Sequence, residues 1–401
     1  MYGVFAINYY NERYKTNIMT EKSTNSDAIH IANVMSNNDN NSTIILIMAG
    51  GSGERFWPLS TKEKPKQLLR LIDEHKSLIQ MTVGRVIPLV PISNIYIATN
   101  AVQAPAVMEE LPQLPINNII IEPAFKDTAA AIGFASIIIE RDNPGSTMVV
   151  LASDHLIKDE ENFRSILKLA IDTANQKDAI VTLGIKPSYA ETGYGYLETE
   201  KRTISNSQQN TLSKPQDILT PVRVIRFCEK PAAELATQYL DGGRHLWNSG
   251  MFIFKTSVML DAFRRLLPSH YKSLMQINEL GNEMRNPNNQ NLKDLFATFE
   301  KISIDYGIME KFENTLVIPS DFGWNDIGSY PALAQVFEGN KNNTIVKGTT
   351  SKELKSTNNI IISTTGKKIS LLGVHNMVIV ETPTDILICT KEEAQNIKKL
   401  I

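Results

Sequence analysis

A short stretch gathers glycines and then cations. Residues 49–53 read Ala-Gly-Gly-Ser-Gly, and Arg55, Lys62, Lys64 and Lys66 follow. Glycines let backbone N–H groups approach an anion with no Cβ in the way. Arg supplies a fixed donor fork and Lys a mobile point charge, and a polyphosphate uses both. Gly50, Gly51, Ser52 and Gly53 are therefore candidate phosphate binders, with Arg55 and Lys66 among the cations that would face a polyphosphate. A Walker loop needs Gly-Lys before Ser or Thr, and the dinucleotide fingerprint needs G-x-G-x-x-G; neither is present, because Glu54-Arg55-Phe56 follows Gly53. For the glycines alone, a tight strand-to-helix turn with solvated charges is the plain alternative.

Other positions offer oxygen ligands and hydroxyl partners. Asp154 ends the apolar run that starts at Thr147. A carboxylate there, beside a phosphate loop, suits Mg²⁺, which takes one or two protein carboxylates plus phosphate oxygens and water. A helix N-cap is the alternative, although the next helical pattern starts several residues later. His155 fits a loop hydrogen bond better than catalysis. Glu122 ends another apolar run, where a carboxylate can accept two hydrogen bonds from an adjacent pair of donors. Its alternative is a charge partner for the following helix. Gly193-Tyr194-Gly195-Tyr196 keeps backbone close to a ligand at Gly195 and flanks it with aromatic faces, or forms a bulge with packed rings. Glu229 can accept from sugar hydroxyls and Lys230 can neutralise a phosphate, unless the two form only an ion pair. Asn248 offers donor and acceptor together. Asp326 sits in a glycine-framed turn that presents a carboxylate or closes an Asx turn.

These groups need a scaffold. Apolar runs predict strands over 43–49, 94–99, 118–122, 147–151 and 180–184. Helical periods predict helices over 76–88, 103–111, 128–141 and 160–176, and a mostly helical stretch over 260–299 broken at 286–291. Alternation of this kind argues for an α/β fold with a doubly wound, mostly parallel sheet. Ligands sit beyond the carboxyl ends of such strands, where residues 50–55, 122–123 and 153–155 fall. After Lys347, short β-branched runs at 359–363, 368–372, 377–382 and 385–389 predict a small all-β unit. Residues 205–216 read as a surface excursion. Residues 1–41 end in a polar Ser/Asn/Asp tract and read as a flexible extension, with an over-long gene model and translation starting at Met35 as the alternative. The expected division is 1–41, 42–340 and 341–401.

The string Gly50-Gly-Ser-Gly-Glu-Arg-Phe-Trp-Pro-Leu-Ser60, followed by Pro65-Lys66-Gln67-Leu68, resembles the signature of sugar-1-phosphate nucleotidylyltransferases, and of the mannose-1-phosphate guanylyltransferase branch in particular. Phe227-Cys-Glu229-Lys230-Pro231, Trp247-Asn248-Ser249-Gly250, residues 302–311 and Phe322-Gly-Trp-Asn-Asp326 extend the resemblance, which covers about Ser42 to Ile401. It implies a Rossmann-like nucleotidyltransferase domain and a left-handed β-helix tail. GTP and mannose 1-phosphate would be the substrates, with Mg²⁺ between Asp154 and Asp326. Glu122, Pro123 and Thr128 would form the base pocket; Gly195, Glu229, Lys230 and Asn248 would hold the sugar phosphate. The family's Arg-Asn-Thr-Ala-Pro-Ala departs here at Lys126, Asp127 and Ala130. The tail implies a homodimer. Longer relatives append a cupin domain with isomerase activity; none is expected in this chain, so a single activity is. Glucose 1-phosphate with dTTP or UTP is the nearest alternative. A non-catalytic nucleotide-sugar-binding regulator is the other, and it would be expected to lack the lysine or the carboxylates.

Bulk properties set outer limits. The 401 residues suffice for two to three domains, with 42% hydrophobic and 21% charged residues and a net charge of −2. Nothing in that balance favours nucleic acid or an anionic membrane as a partner. Two distant cysteines make neither a zinc motif nor a disulfide framework and suit a reducing, cytoplasmic setting. No apolar run nears the roughly 20 residues that span a bilayer.

Overall fold

The structure is a computed structural model that describes residues 42–51, 53–200 and 220–401. The expected extension at 1–41, the excursion at 205–216 and Ser52 lie outside the described residues. By compactness the described chain forms two units. One holds residues 42–48, 83–152, 157–200 and 220–324; the other holds 49–51, 53–82, 153–156 and 325–401.

The first unit is built on a nine-stranded sheet. Its strands are Thr43–Met48 (β1), Ile95–Asn100 (β2), Ile119–Glu122 (β3), Thr147–Ala152 (β4), Ile180–Ile185 (β5), Gly195–Thr199 (β6), Val222–Glu229 (β7), His245–Lys255 (β8) and Thr315–Ser320 (β9). They lie in the order β3-β2-β1-β4-β8-β5-β9-β7-β6. The five strands expected from apolar runs all form, within about a residue at each end, because their branched side chains are buried. Pairing is parallel for β1 with β2 and β4, for β2 with β3, and for β5 with β9. The expectation of a mostly parallel sheet needs correction beyond β4. There β8 enters antiparallel to both β4 and β5, and β6–β8, β6–β7 and β7–β9 are antiparallel as well. Apolar patterning looks the same whichever way a strand runs, so periodicity could not reveal this.

Helices pack where the period placed them. Asp127–Asp142 is buried along most of its length and meets Thr256–Leu266 and Pro268–Glu279. A Cβ on Gly133 would lie 2.9 Å from both Phe263 and Leu274, so glycine there sets how closely these helices approach. Helix Glu160–Lys177 starts at Asp159, whose side chain accepts from Asn162 N–H, which removes the N-cap alternative for Asp154. Among the described residues no helix is long and apolar enough to cross a membrane.

The second unit joins the glycine loop to the chain's β-rich end. Phe56 and Tyr330 are fully buried in its core, 4.9 Å apart, and the Tyr330 hydroxyl donates to Phe56 O at 2.8 Å. Three coils follow. Strands Ile345–Lys347 (β10), Ile360–Ser363 (β12) and Met377–Glu381 (β14) stack in parallel, as do Ser351–Leu354 (β11) and Ile369–Leu372 (β13). Ile386–Thr390 (β15) closes the stack antiparallel to β14. Successive coils turn at Asn343, Asn358 and Asn376, all at positive φ, which Asn tolerates better than most residues. Their amides bond from coil to coil, Asn343 to Asn358 at 3.3 Å and Asn358 to Asn376 at 2.6 Å.

Glu381 ends β14 and is 4% exposed. The hydroxyls of Ser363 and Thr365, and then Lys367, hold its carboxyl at about 2, down from an ordinary 4.5. A depressed carboxylate contributes stability that is present above its unfolded pKa and lost as pH falls through the folded one. Melting temperatures measured from pH 7 to pH 2 should therefore show wild type above Glu381→Gln at neutral pH, with the gap closing between pH 4.5 and about 2. A gap independent of pH would show that the carboxylate charge is not what stabilises this end.

Candidate active site

The second unit brings the phosphate and metal candidates together. Lys66, 5% exposed, donates to Asp154 Oδ2 at 2.8 Å and to the backbone oxygen of Asp326 at 2.6 Å. Three positions far apart in the chain thus meet at one ammonium group. Burial pushes the Asp154 carboxyl up, but the charges of Lys66 and His155 and the Lys66 hydrogen bond outweigh it, and the group lies below its usual range. Asp326 Oδ1 accepts from Gly328 N–H at 3.1 Å, so the Asx turn considered for it exists. Among the described residues no three His, Cys, Asp or Glu side chains form a metal cage. Two carboxylates suit a hard cation that takes its other ligands from phosphate and water. An ammonium group already lies against one of them, so the position attracts positive charge.

The glycine loop is held by residues that the sequence did not single out as site residues. Gln67, 2% exposed, donates to Ala49 O at 3.0 Å and Gly51 O at 3.3 Å. The Ser60 hydroxyl donates to Gly53 O at 2.8 Å. Arg55 is exposed and its Nη1 donates to Gln395 Oε1 at 3.0 Å, on the last helical turns of the chain. Gly53 has φ of 61°, and a Cβ there would sit 2.5 Å from Lys66 Cβ and 2.6 Å from Lys66 N. Its missing side chain therefore makes room for Lys66. Among the described residues, its chain neighbours apart, no atom lies within 4 Å of where a Cβ on Gly51 would be.

The base candidates lie in the first unit. Glu122 ends β3, 6% exposed, and burial followed by the charge of Asp127 pushes its carboxyl up to about 8. Pro123 follows at the strand's end, and Asp127, at φ of 70°, opens the next helix. The Thr128 hydroxyl accepts from Ile304 N–H at 2.8 Å, and Ala129 N–H donates to Ile302 O at 3.2 Å, so residues 302–304 close that helix end. The departures from the family string have structural roles here. Lys126 Nζ donates to Ala297 O at 2.7 Å and Phe299 O at 2.9 Å, tying off the end of helix Gln290–Ala297. Asp127 Oδ1 accepts from Thr128 N–H, and Ala130 is buried.

The four sugar-phosphate candidates also converge in the first unit. Gly195 pairs with Glu229 across β6 and β7, and a Cβ on Gly195 would lie 2.5 Å from Glu229 Oε2 and 3.4 Å from Asn248 Cβ. Glycine here leaves room for the Glu229 carboxylate. Lys230 turns back, at φ of 48°, and its ammonium group meets Glu229, forming the ion pair weighed as an alternative. Tyr196 is fully buried and donates to Glu191 O, so it is a core residue. Tyr194 packs edge-on against Trp247 and Trp324. Asp305 joins the cluster: Asn248 Nδ2 donates to its Oδ1 at 3.2 Å. Nothing in the sequence marked it beyond its place in a family-like string.

Gly53→Ala tests the packing at the loop. A side chain at positive φ, pressed on Lys66 backbone, should cost about 1–3 kcal/mol. A clear drop in melting temperature, with activity lost alongside, is the expected result. A stable and fully active variant would contradict the close packing of Gly53 on Lys66.

Comparison with known proteins gives this arrangement a family. Residues 44–343 match the Nucleotidyl transferase family, and residues 355–401 match the MannoseP isomerase/GMP-like beta-helix domain. Mannose-1-phosphate guanylyltransferase 2 of Escherichia coli O157:H7 is 35% identical over 366 residues, covering 89% of this chain and 72% of that protein. Xanthan biosynthesis protein XanB of Xanthomonas campestris pv. campestris (strain B100) is 34% identical over 360 residues, with the same coverage. Among solved structures, a mannose-1-phosphate geranyltransferase from Thermus thermophilus superposes with a TM-score of 0.76 at 30% identity, covering 89% of this chain and 98% of that one. The chain belongs to the nucleotidyl transferase family, and its end is similar to the MannoseP isomerase/GMP-like beta-helix domain.

Proposed function

We propose that the protein transfers GMP from GTP to mannose 1-phosphate, giving GDP-mannose and pyrophosphate. The observation that carries the reading is the Lys66 ammonium group, held between Asp154 and the backbone of Asp326 beside the glycine loop. The choice of guanine and mannose is supported by the names of the relatives and by Glu122, whose desolvated carboxyl would gain two donors from the guanine edge. On this reading residues 42–340 are the catalytic domain, on a doubly wound Rossmann-like sheet, and 341–401 are a left-handed β-helix. Four tail side chains, Leu354, Leu372, Ile386 and Ile388, are more than 60% exposed, which supports a homodimer through the tail. A cytoplasmic setting fits the free Cys228 and Cys389.

The chemistry needs no general base. The sugar phosphate oxygen is already an anion and attacks the α-phosphorus in line with departing pyrophosphate, so one P–O bond forms as another breaks. Bringing two polyanions together is the main barrier. Arg55 and the amides of residues 50–53 would hold the β- and γ-phosphates. Pro123 and Thr128 would frame the base beside Glu122. Lys66 would exchange Asp154 for an α-phosphate oxygen, and Lys230 would exchange Glu229 for the sugar phosphate. Asp154 and Asp326 would hold Mg²⁺, which supplies Lewis-acid charge to the phosphate oxygens when bound. Gly195, Glu229 and Asn248 would surround the sugar.

A panel of nucleoside triphosphates and sugar 1-phosphates, read by pyrophosphate release with and without Mg²⁺, tests the reading. GTP with mannose 1-phosphate should give the highest kcat/KM, and chelation should abolish it. Faster turnover of glucose 1-phosphate with dTTP or UTP would overturn the substrate choice, and no turnover of any pair would favour a regulator. Lys66→Ala should lower kcat about 10²–10³-fold. Activity within twofold of wild type would remove Lys66 from the mechanism.

A further inference from the structure

We propose that Asp305 is a sugar-contacting, specificity-determining residue, which with Glu229 forms a two-carboxylate clamp for ring hydroxyls of the sugar 1-phosphate. The inference rests on the reading of the Gly195–Glu229–Asn248 cluster as the sugar site and names the group that reads the sugar there.

Geometry separates the roles within the cluster. Asn248 Oδ1 already accepts from Gly250 N–H at 3.2 Å, and the Thr182 hydroxyl, which donates to Met251 O at 2.9 Å, lies 3.3 Å from it. One amide hydrogen of Asn248 goes to Asp305 Oδ1 at 3.2 Å. The acceptor expected of Asn248 is thus engaged inside the protein. What Asn248 does is fix Asp305 and keep a second N–H. The remaining acceptors are carboxylate oxygens. An ionised carboxylate offers about four lone-pair directions, and Asn248 is the one described side chain that donates to Asp305. Sugar hydroxyls each bring a donor, which is what two adjacent carboxylates require.

The backbone is arranged to hold Asp305 at this place. It opens a five-residue π-helical turn, Asp305–Met309. Such turns recur at functional sites. The turn is anchored one residue earlier, where Ile304 N–H donates to Thr128 Oγ1. Gly195 leaves the space that Glu229 Oε2 fills. Burial, and then the negative charge of Glu229, push the Asp305 carboxyl up to about 7. Asn248 reaches one Asp305 oxygen and Lys230 one Glu229 oxygen, and a polyol would bring donors to the other lone pairs of this desolvated pair.

Asp305→Asn keeps the shape and removes the acid. Steady-state kinetics should show KM for mannose 1-phosphate raised roughly 10- to 100-fold, as expected for a lost hydrogen bond to a charged group, with KM for GTP within about twofold. Its melting temperature should equal or exceed that of wild type, because a like-charge contact is gone. Monodeoxy analogues of mannose 1-phosphate then locate the contact. For the analogue lacking the hydroxyl that Asp305 accepts, wild type and variant should fall within about twofold of each other. A wild-type KM in the variant, or an equal loss with every analogue, would overturn the assignment. Asp305→Ser serves the same test should the Asn variant not fold. If wild type makes no product from mannose 1-phosphate, the substrate reading fails, and the same comparison on the sugar phosphate it does use decides for or against Asp305.

Discussion

The second unit depends on one buried cation. An ammonium group taken out of water costs several kcal/mol unless a counter-charge and acceptor oxygens take up its hydrogens. Lys66 meets that requirement with the Asp154 carboxylate and the Asp326 carbonyl, reached across 88 and 260 positions of chain. The strand end at Asp154, the connection carrying Lys66 and the late turn at Asp326 must therefore arrive together. Gly53 has no side chain because the Lys66 backbone lies where one would be, and Gln67 ties the loop from beneath. A site preloaded with a cation can exchange it for another, or lend it to a phosphate, with little rearrangement of the backbone.

The β-helix shares its core with that loop. Phe56 from the loop, Tyr330 from the late turn and Ile360, Val378 and Val380 from the coils form one apolar cluster. Gln395, near the last residue, accepts from Arg55. Coils of this kind are stiff because each strand is paired along its length and each corner amide bonds to the next coil. A loop of glycines has little rigidity of its own. Packing it on a stack of paired strands supplies what its composition lacks.

In the first unit, the helix starting at Asp127 and the turn starting at Asp305 fasten each other. Thr128 and Ala129 bond to residues 302–304, and Lys126 closes the end of helix Gln290–Ala297. Three departures from the family string fall in this corner. Lys126 makes two bonds to backbone oxygens, and Ala130 fills a buried place. These positions support the fold around Glu122 and Asp305, which leaves the family assignment intact while the local string differs.

Much of this was legible in residue order. Buried strands are continuous branched runs bounded by glycine or polar residues, so β1 to β5 and β12 to β15 could be bounded within about a residue, whereas the short, partly exposed β10 and β11 were not expected. The glycine loop, its cations and the strand-end acids could be named because a phosphate site needs those types close together in sequence. The direction of β8, the meeting of Lys66 with Asp154 and Asp326, the binding of Arg55 by Gln395 and the presence of Asp305 beside Asn248 were not legible. Periodicity and composition describe a few neighbouring residues at a time. Which distant groups share a hydrogen bond is decided only when strands pair and buried charges find partners, and that is a property of the folded chain.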